Sequence, residues 1–370
     1  MQDMKREICR KMTAACLVLL MSIPLLGCEL SSPKEAAATP APTVIPTEAP
    51  TAAPTPEPTF EQILLSTPEP TETPTLPDTP EPTPVVTPRE NGPAPTPFSI
   101  VWMSDTQNLA RHYPDVFNCM RDWILRERET QNIVFVVHTG DVVDACSKFM
   151  WDNVSVALIP VFYQIPGMIV SGNHDIGSEG KQSLFYERPY AMMTRKEGQT
   201  FQNGACAYQT FTAGGDEFLV FGFGYGMNLP AIWDWVNSVI EEHPDAVLLF
   251  VMHYGLQQDN RLSGQAKALF TRVAEKAPNA RLLLCGHHDG ALLHEDRVDD
   301  DGDGETDRCF YTMMFNVQDD VEEGMGFMRI LTFYPEDRHI EIKTYSPWYD
   351  RWEYSGFEPE ENEFVLENAY

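Results

Sequence analysis

Five short segments after residue 97 gather the side chains able to hold a cation or move a proton. They are Ser104-Asp105-Thr106-Gln107, Gly140-Asp141-Val142-Val143-Asp144, Gly172-Asn173-His174-Asp175, Met252-His253 and Gly286-His287-His288-Asp289. Carboxylates, amides and imidazoles brought together out of water are costly unless something cationic neutralises them. A pair of divalent metals is the natural solution. Two such cations close together make a shared water acidic near neutral pH. The chemistry suggested is therefore hydrolysis at a metal pair.

Each segment follows an apolar, β-branched run that reads as a buried strand: FSIVWM, IVFVVH, PGMIV, VLLFVM and RLLLC. Side chains at the C-terminal ends of such strands meet on one edge of a sheet, where open α/β folds place their sites. Between them the pattern predicts helices over 114–131 (Phe117, Met120, Trp123 and Ile124 inward), 230–242 (Ile232, Trp235, Val236 and Val239) and 264–277 (Leu269, Phe270 and Val273). Late strands are expected at 310–315, 327–334 and 340–345. Alternating strands and helices on this scale suit one layered α/β domain.

These motifs resemble the calcineurin-like metallophosphoesterase superfamily, whose order is DxH, GDxxD, GNHD/E, a single H and GHxH. Ser104-Asp105-Thr106-Gln107 itself looks like a secreted branch of that superfamily. The resemblance spans most of 98–350 and implies an αββα sandwich: four layers, with two packed mixed β-sheets flanked by helices. It also implies two divalent metals, drawn from Mn, Mg, Fe, Zn or Ca, and a phosphoester substrate. By this likeness Asp141 bridges both metals, since a carboxylate has two oxygens to offer. Asn173, His253 and His287 complete the second metal, and Asp105 belongs to the first. His174 is the general acid that protonates the leaving oxygen, with Asp144 hydrogen-bonded to it.

Two departures fall on the first metal. Gln107 stands where the superfamily has the histidine of DxH, and Asp289 stands where it has the last histidine of GHxH, with His288 in the variable place. Asp105, Gln107, Asp141 and Asp289 would make an all-oxygen site, which suits Mn²⁺, Mg²⁺ or Ca²⁺ better than Zn²⁺. The alternatives are that His288 ligates instead, or that the first site is weak or empty. No arginine follows Asp144, so Arg111, His112 and Arg188 are candidates to hold the phosphate. The leading expectation is a phosphomonoester or phosphodiester hydrolase with a metal-bridging hydroxide as nucleophile. The rival is a non-catalytic surface binding protein that keeps the fold around a degenerate first site.

The rest of the chain concerns place rather than chemistry. Residues 1–28 read as a bacterial lipoprotein signal: basic Lys5, Arg6, Arg10 and Lys11, a short apolar stretch, then Leu25-Leu26-Gly27-Cys28. Cys28 is then the acylated residue that anchors the protein in the membrane on its extracytoplasmic face. Residues 29–97 are a Pro/Thr-rich spacer that cannot bury a core. At roughly 3.1 Å per residue it could reach on the order of 200 Å. A net charge of −29 argues against a nucleic-acid scaffold.

The five cysteines beyond Cys28 are widely spaced and odd in number, which is no disulfide framework, although a pair such as Cys206 with Cys309 stays open. Asp299, Asp301, Asp303 and Asp307 have the rhythm of a calcium loop, with Gly304 at the turn. The glutamate an EF-hand needs is replaced by Phe310, so the expectation is a structural calcium-binding hairpin. Residues 351–370 read as an acidic C-terminal tail.

Overall fold

The computed structural model describes residues 95–176, 185, 199–201, 204–320 and 325–370. The signal segment, Cys28, nearly all of the spacer and Arg188 lie outside the described residues.

The five apolar runs are strands. β1 (Phe98–Met103), β2 (Ile133–His138) and β3 (Gly167–Ile169) lie parallel in one sheet. β11 (Met328–Tyr334) runs antiparallel beside β1, followed by β12 (His339–Ser346), β13 (Arg351–Trp352) and, also on β12, β14 (Glu363–Leu366). The second sheet has the order β4 (Thr200–Phe201), β5 (Cys206–Ala213), β6 (Asp216–Phe223), β7 (Val247–Met252), β8 (Ala280–Cys285), β10 (Arg308–Asn316), β9 (Gly290–Val298). From β6 to β10 its neighbours are parallel.

Both faces of these strands are covered, which explains why their sequences are almost continuously apolar. Along β6 and β7, Phe218, Val220, Leu249 and Val251 join the core shared with the first sheet. The alternate residues Leu219, Phe221, Leu248 and Phe250 join a second core under helices. Aromatic rings lock the sheets together: Phe98 lies 5.3 Å from Phe218, and Phe135 lies 4.8 Å from Phe211.

The helices are α1 (Gln107–His112), α2 (Pro114–Glu127), α3 (Lys148–Gln164), α4 (Pro230–Glu242), α5 (Gly264–Arg272) and the short α6 (Pro359–Asn362). Phe117, Met120, Trp123 and Ile124 of α2 and the buried side of α3 belong to the first core, while α4 and α5 cover the second sheet. The molecule is thus α/β, with two mixed sheets face to face and helices flanking them, as the sequence predicts. One core assignment shifts: α4 turns Trp233 fully inward, and Trp235 stacks over Phe201 at 5.3 Å from a half-buried position.

The C-terminal residues are a clear correction. Residues 351–370 are no tail but part of the domain. β14 pairs with β12 from Ile340↔Leu366 to Lys343↔Glu363, and Leu366, Ala369 and Tyr370 are buried. The acidic residues that suggest a solvated segment face outward, while the apolar ones between them are what the sheet takes up. Tyr370 packs 5.1 Å from Phe333 and 6.0 Å from Phe218. Burying a large side chain stabilises by about 1.5–3 kcal/mol. Deleting residues 363–370 should therefore lower stability by about 4 kcal/mol in urea unfolding. A loss below ~1 kcal/mol would mean that the segment is dispensable.

Cys206, Cys285 and Cys309 are free thiols, so Cys206 and Cys309 are not paired. Cys285 is buried at the end of β8, as a small core residue should be. No described helix is long and apolar enough to cross a membrane.

Candidate metal centre

The ends of β1, β2, β3, β7 and β8 converge, and each turns sharply there. Asp105, Asp141 and His287 all adopt left-handed backbone, with φ of 50°, 48° and 79°. Non-glycine residues held in this region cost about 1–3 kcal/mol each and collect at functional sites. The turns also demand glycine. A Cβ on Gly172 would lie 2.0 Å from Asp141 Oδ1, and one on Gly286 would lie 2.2 Å from Asp105 Oδ2. The glycines of GNHD and GHHD are there so that backbone can press against the carboxylates.

Asp141, His253 and His287 bring ligand atoms within 4.8 Å of one another. His253 Nε2 is 3.1 Å from Asp141 Oδ2, 3.2 Å from Asn173 Oδ1 and 3.1 Å from His287 Nδ1. Its other nitrogen, Nδ1, lies 3.0 Å from the Thr139 carbonyl, to which it donates. That bond fixes the tautomer with the Nε2 lone pair facing the cluster, the arrangement of a metal-ligating histidine. Four atoms able to offer lone pairs then face one point, a set that a cation or a proton reconciles. A proton does so for His253: burial opposes its charge, but Asp141, Asp105 and Asp175 outweigh burial and raise it to about 9. His287 is pushed the other way, to about 4, by burial and by the His253 charge. Burial alone would raise Asp141, yet His253 holds it below the ordinary carboxylate range.

Asp105 carries the second sign of a cation site. Oδ2 accepts from Ser104 Oγ and from the His287 N–H at 3.2 Å, whereas Oδ1 is buried with no hydrogen-bond partner. An orphaned carboxylate oxygen is expensive, and burial accordingly raises Asp105 to about 6. This donor chemistry fits a divalent metal at each side of Asp141.

The two departures behave differently from the four-oxygen expectation. Gln107 opens α1 and is buried. Its amide, oriented by its surroundings, donates to the carbonyls of Asp105 (3.0 Å) and Asp141 (2.7 Å) and faces Gln318. It is a tie between the two metal loops. An amide N–H satisfies two crowded carbonyls there, which an aspartate could not do. Asp289 is hydrogen-bonded to Asp319, and burial together with that neighbour raises its carboxyl to about 7. His288 is half-buried against Tyr254, with ring centres 5.3 Å apart.

His174 stands over the cluster, with Nε2 3.9 Å from Asp141 Oδ2. Its Nδ1 is held at 3.0 Å by the backbone carbonyl of Asp144, closer than the Asp144 carboxylate at 3.5 Å. Arg111, at the end of α1, occupies that carboxylate through an ion pair. Asp144 therefore orients His174 chiefly through its main chain, and its side chain ties α1 to the same loop.

Sequence reading missed Asp175, which ends the GNHD motif. It is fully buried, and its carboxylate accepts from the N–H groups of Val142 (2.9 Å), Val143 (3.0 Å) and Gly172 (2.8 Å). It clamps the loops carrying Asp141 and Asn173 together. It missed His138 as well: Nδ1 accepts from Gly140 N–H at 3.2 Å, so Nε2–H points to Thr106 Oγ1 at 2.9 Å. Only the position of His138, as the last residue of a strand before GD, could have drawn attention to it.

The acidic loop lies between β9 and β10. Asp299, Asp301 and Asp307 bring carboxylate oxygens within 4.8 Å, all exposed. Asp303 stands apart from that group, accepting from the Glu305 N–H at 2.8 Å.

A family model described as calcineurin-like phosphoesterase matches residues 98–289. A Bacillus subtilis (strain 168) protein, described as "Uncharacterized protein YvnB", is 30% identical over 270 residues, covering 71% of this chain and 21% of that protein. The chain thus spans about a fifth of that relative's length. Among solved structures, "GAP50 the anchor in the inner membrane complex of Plasmodium" aligns with a TM-score of 0.43 and 13% identity, over 70% of this chain and 87% of that one. The Thermus thermophilus protein TT1561 aligns with a TM-score of 0.39 and 13% identity, over 68% of this chain and 100% of that one.

Proposed function

The chain belongs to the calcineurin-like phosphoesterase family, and from that premise we propose that it is a metal-dependent phosphoester hydrolase tethered outside the cell membrane. The observation that carries the reading is the convergence of Asp141 Oδ2, His253 Nε2, His287 Nδ1 and Asn173 Oδ1 beside the orphaned Asp105 Oδ1. Bound divalent cations would supply Lewis acidity toward the phosphoryl oxygens and an acidified water.

The chain's own residues do the rest. Asp141, Asn173, His253 and His287 would hold one cation; Asp105, with Asp141 shared, would hold the other. The Thr139 carbonyl keeps His253 in the ligating tautomer. Asp175 and the Gln107 amide keep the loops at fixed separation. His174, with Nδ1–H on the Asp144 carbonyl, turns Nε2 toward the place where the leaving oxygen needs a proton.

Hydrolysis of nitrophenyl phosphate and bis-nitrophenyl phosphate, after chelation and readdition of Mn²⁺, Mg²⁺, Ca²⁺ or Zn²⁺, tests the reading. Metal-restored turnover of either ester supports it. Metal uptake without any turnover favours the binding-protein alternative.

Asp289, hydrogen-bonded to Asp319 here, is the further donor this reading would add beside Asp105, and so bears on metal identity. The Asp289→His variant should gain zinc relative to manganese when dialysed against both, since a carboxylate is exchanged for a borderline nitrogen donor. Mass-spectrometric metal ratios unchanged in Asp289→His but collapsed in His288→Ala would assign the donor to His288 instead.

The membrane tether rests on Leu25-Leu26-Gly27-Cys28. Cys28→Ser should move the protein from the membrane fraction to the medium, or leave it at its unprocessed mass. Unchanged processing and membrane retention in that variant would rule out acylation at Cys28.

A further inference from the structure

Arg329, on β11, is a buried cation without an ion-pair partner among the described residues. It is 2% exposed, and the Glu361 carboxylate acts on it only through space. Its guanidinium lies against two aromatic rings, 5.0 Å from the centre of Phe315 and 5.4 Å from that of Phe364. What remains are the in-plane donors. Nη2 donates to the Glu361 carbonyl, and Nε is buried with no partner. Burial lowers its pKa only to about 9, so it is charged at neutral pH. A buried charge lacking a paired anion is strongly unfavourable, and arginine's planar fork matches a carboxylate bidentately.

The residue lines a cavity of about 350 Å³ opening between the two sheets, of a size that takes small organic ligands. Leu292, Leu293 and Phe364 supply apolar wall. Glu295, Glu360 and Glu367, all exposed, stand around it. A simple anion would meet arginine within but glutamates outside. A zwitterion satisfies both.

We propose that this cavity binds an apolar α-amino acid, with its carboxylate on Arg329, its side chain against Leu292, Leu293 and Phe364, and its ammonium toward the glutamates. The site does not share residues with the metal centre and does not depend on the activity proposed for it.

Isothermal titration of the full chain with L-phenylalanine, L-leucine, phenylacetate and phenethylamine tests this. L-phenylalanine or L-leucine should bind saturably, with phenylacetate and phenethylamine at least about tenfold weaker, each lacking one charge. Arg329→Met, an apolar replacement of the kind buried charges tolerate, should melt cooperatively and lose the binding. Leu293→Trp, which fills the cavity and leaves Arg329 in place, should lose it too. No saturable heat from either amino acid at millimolar concentration would overturn the proposal and leave Arg329 as a pin for α6. Undiminished affinity in a folded Arg329→Met or Leu293→Trp protein would overturn it equally.

Discussion

Asp141→Asn should abolish both metal binding and turnover, the largest effect expected of any single substitution in this chain. The side chain keeps its shape, and the amide can still use one oxygen toward His253 or accept from the His174 N–H, now 2.9 Å from Oδ1. What disappears is the negative charge that neutralises a cation on each side and the second lone-pair oxygen, replaced by a donor NH₂ facing His253. Turnover should fall at least about a thousandfold, equivalent to ~4 kcal/mol of transition-state stabilisation. Metal retained after gel filtration should fall toward zero. The fold should persist, because the strands beneath Asp141 are anchored by cores that do not include it. A purified Asp141→Asn protein that holds metals as the wild type does would remove the basis for a shared carboxylate.

His174→Ala should separate proton transfer from metal binding. His174 Nδ1 is anchored on the Asp144 carbonyl and Nε2 faces the cluster, 3.9 Å from Asp141 Oδ2. None of the atoms converging on His253 Nε2 belongs to His174, so metal content should be unchanged. General acid catalysis contributes roughly a hundred- to ten-thousand-fold. The loss should be of that order for alkyl phosphates, whose alkoxide leaves poorly, and small for nitrophenyl esters, whose leaving group needs no proton. Equal losses on both classes of ester would show that His174 does not act as the acid.

Much of this arrangement is legible in the sequence because two signals coincide at the same residues. The apolar runs beginning at Phe98, Ile133, Val247 and Arg281 mark strands covered on both faces, and a polar motif follows each at once. That coincidence locates the site edge and the residues found around His253. Relations set by main-chain atoms are not legible. The motif predicts that Asp144 hydrogen-bonds His174; it does so through its carbonyl at 3.0 Å, while its carboxylate, 3.5 Å from the same nitrogen, also pairs with Arg111. Gln107 occupies a ligand position in the motif, yet its amide bridges two carbonyls whose positions depend on the turns at Asp105 and Asp141.

Two longer-range features escape for other reasons. α3 carries Pro160 inside it and a mixed apolar surface, which obscures its period. The β14 segment is hidden by its charge: Glu363 and Glu367 stand among the very residues, Leu366 and Tyr370, that the core takes up. Composition averages over a segment, whereas a strand sorts its residues by face.

A metal pair sharing Asp141 is measured directly by anomalous diffraction from crystals grown with Mn²⁺. Two peaks about 3.5–4 Å apart are expected, one among Asn173, His253 and His287, the other beside Asp105 Oδ1, with the Asp141 carboxylate between them. A single peak at the histidines, with Asp105 Oδ1 left uncoordinated, would contradict it.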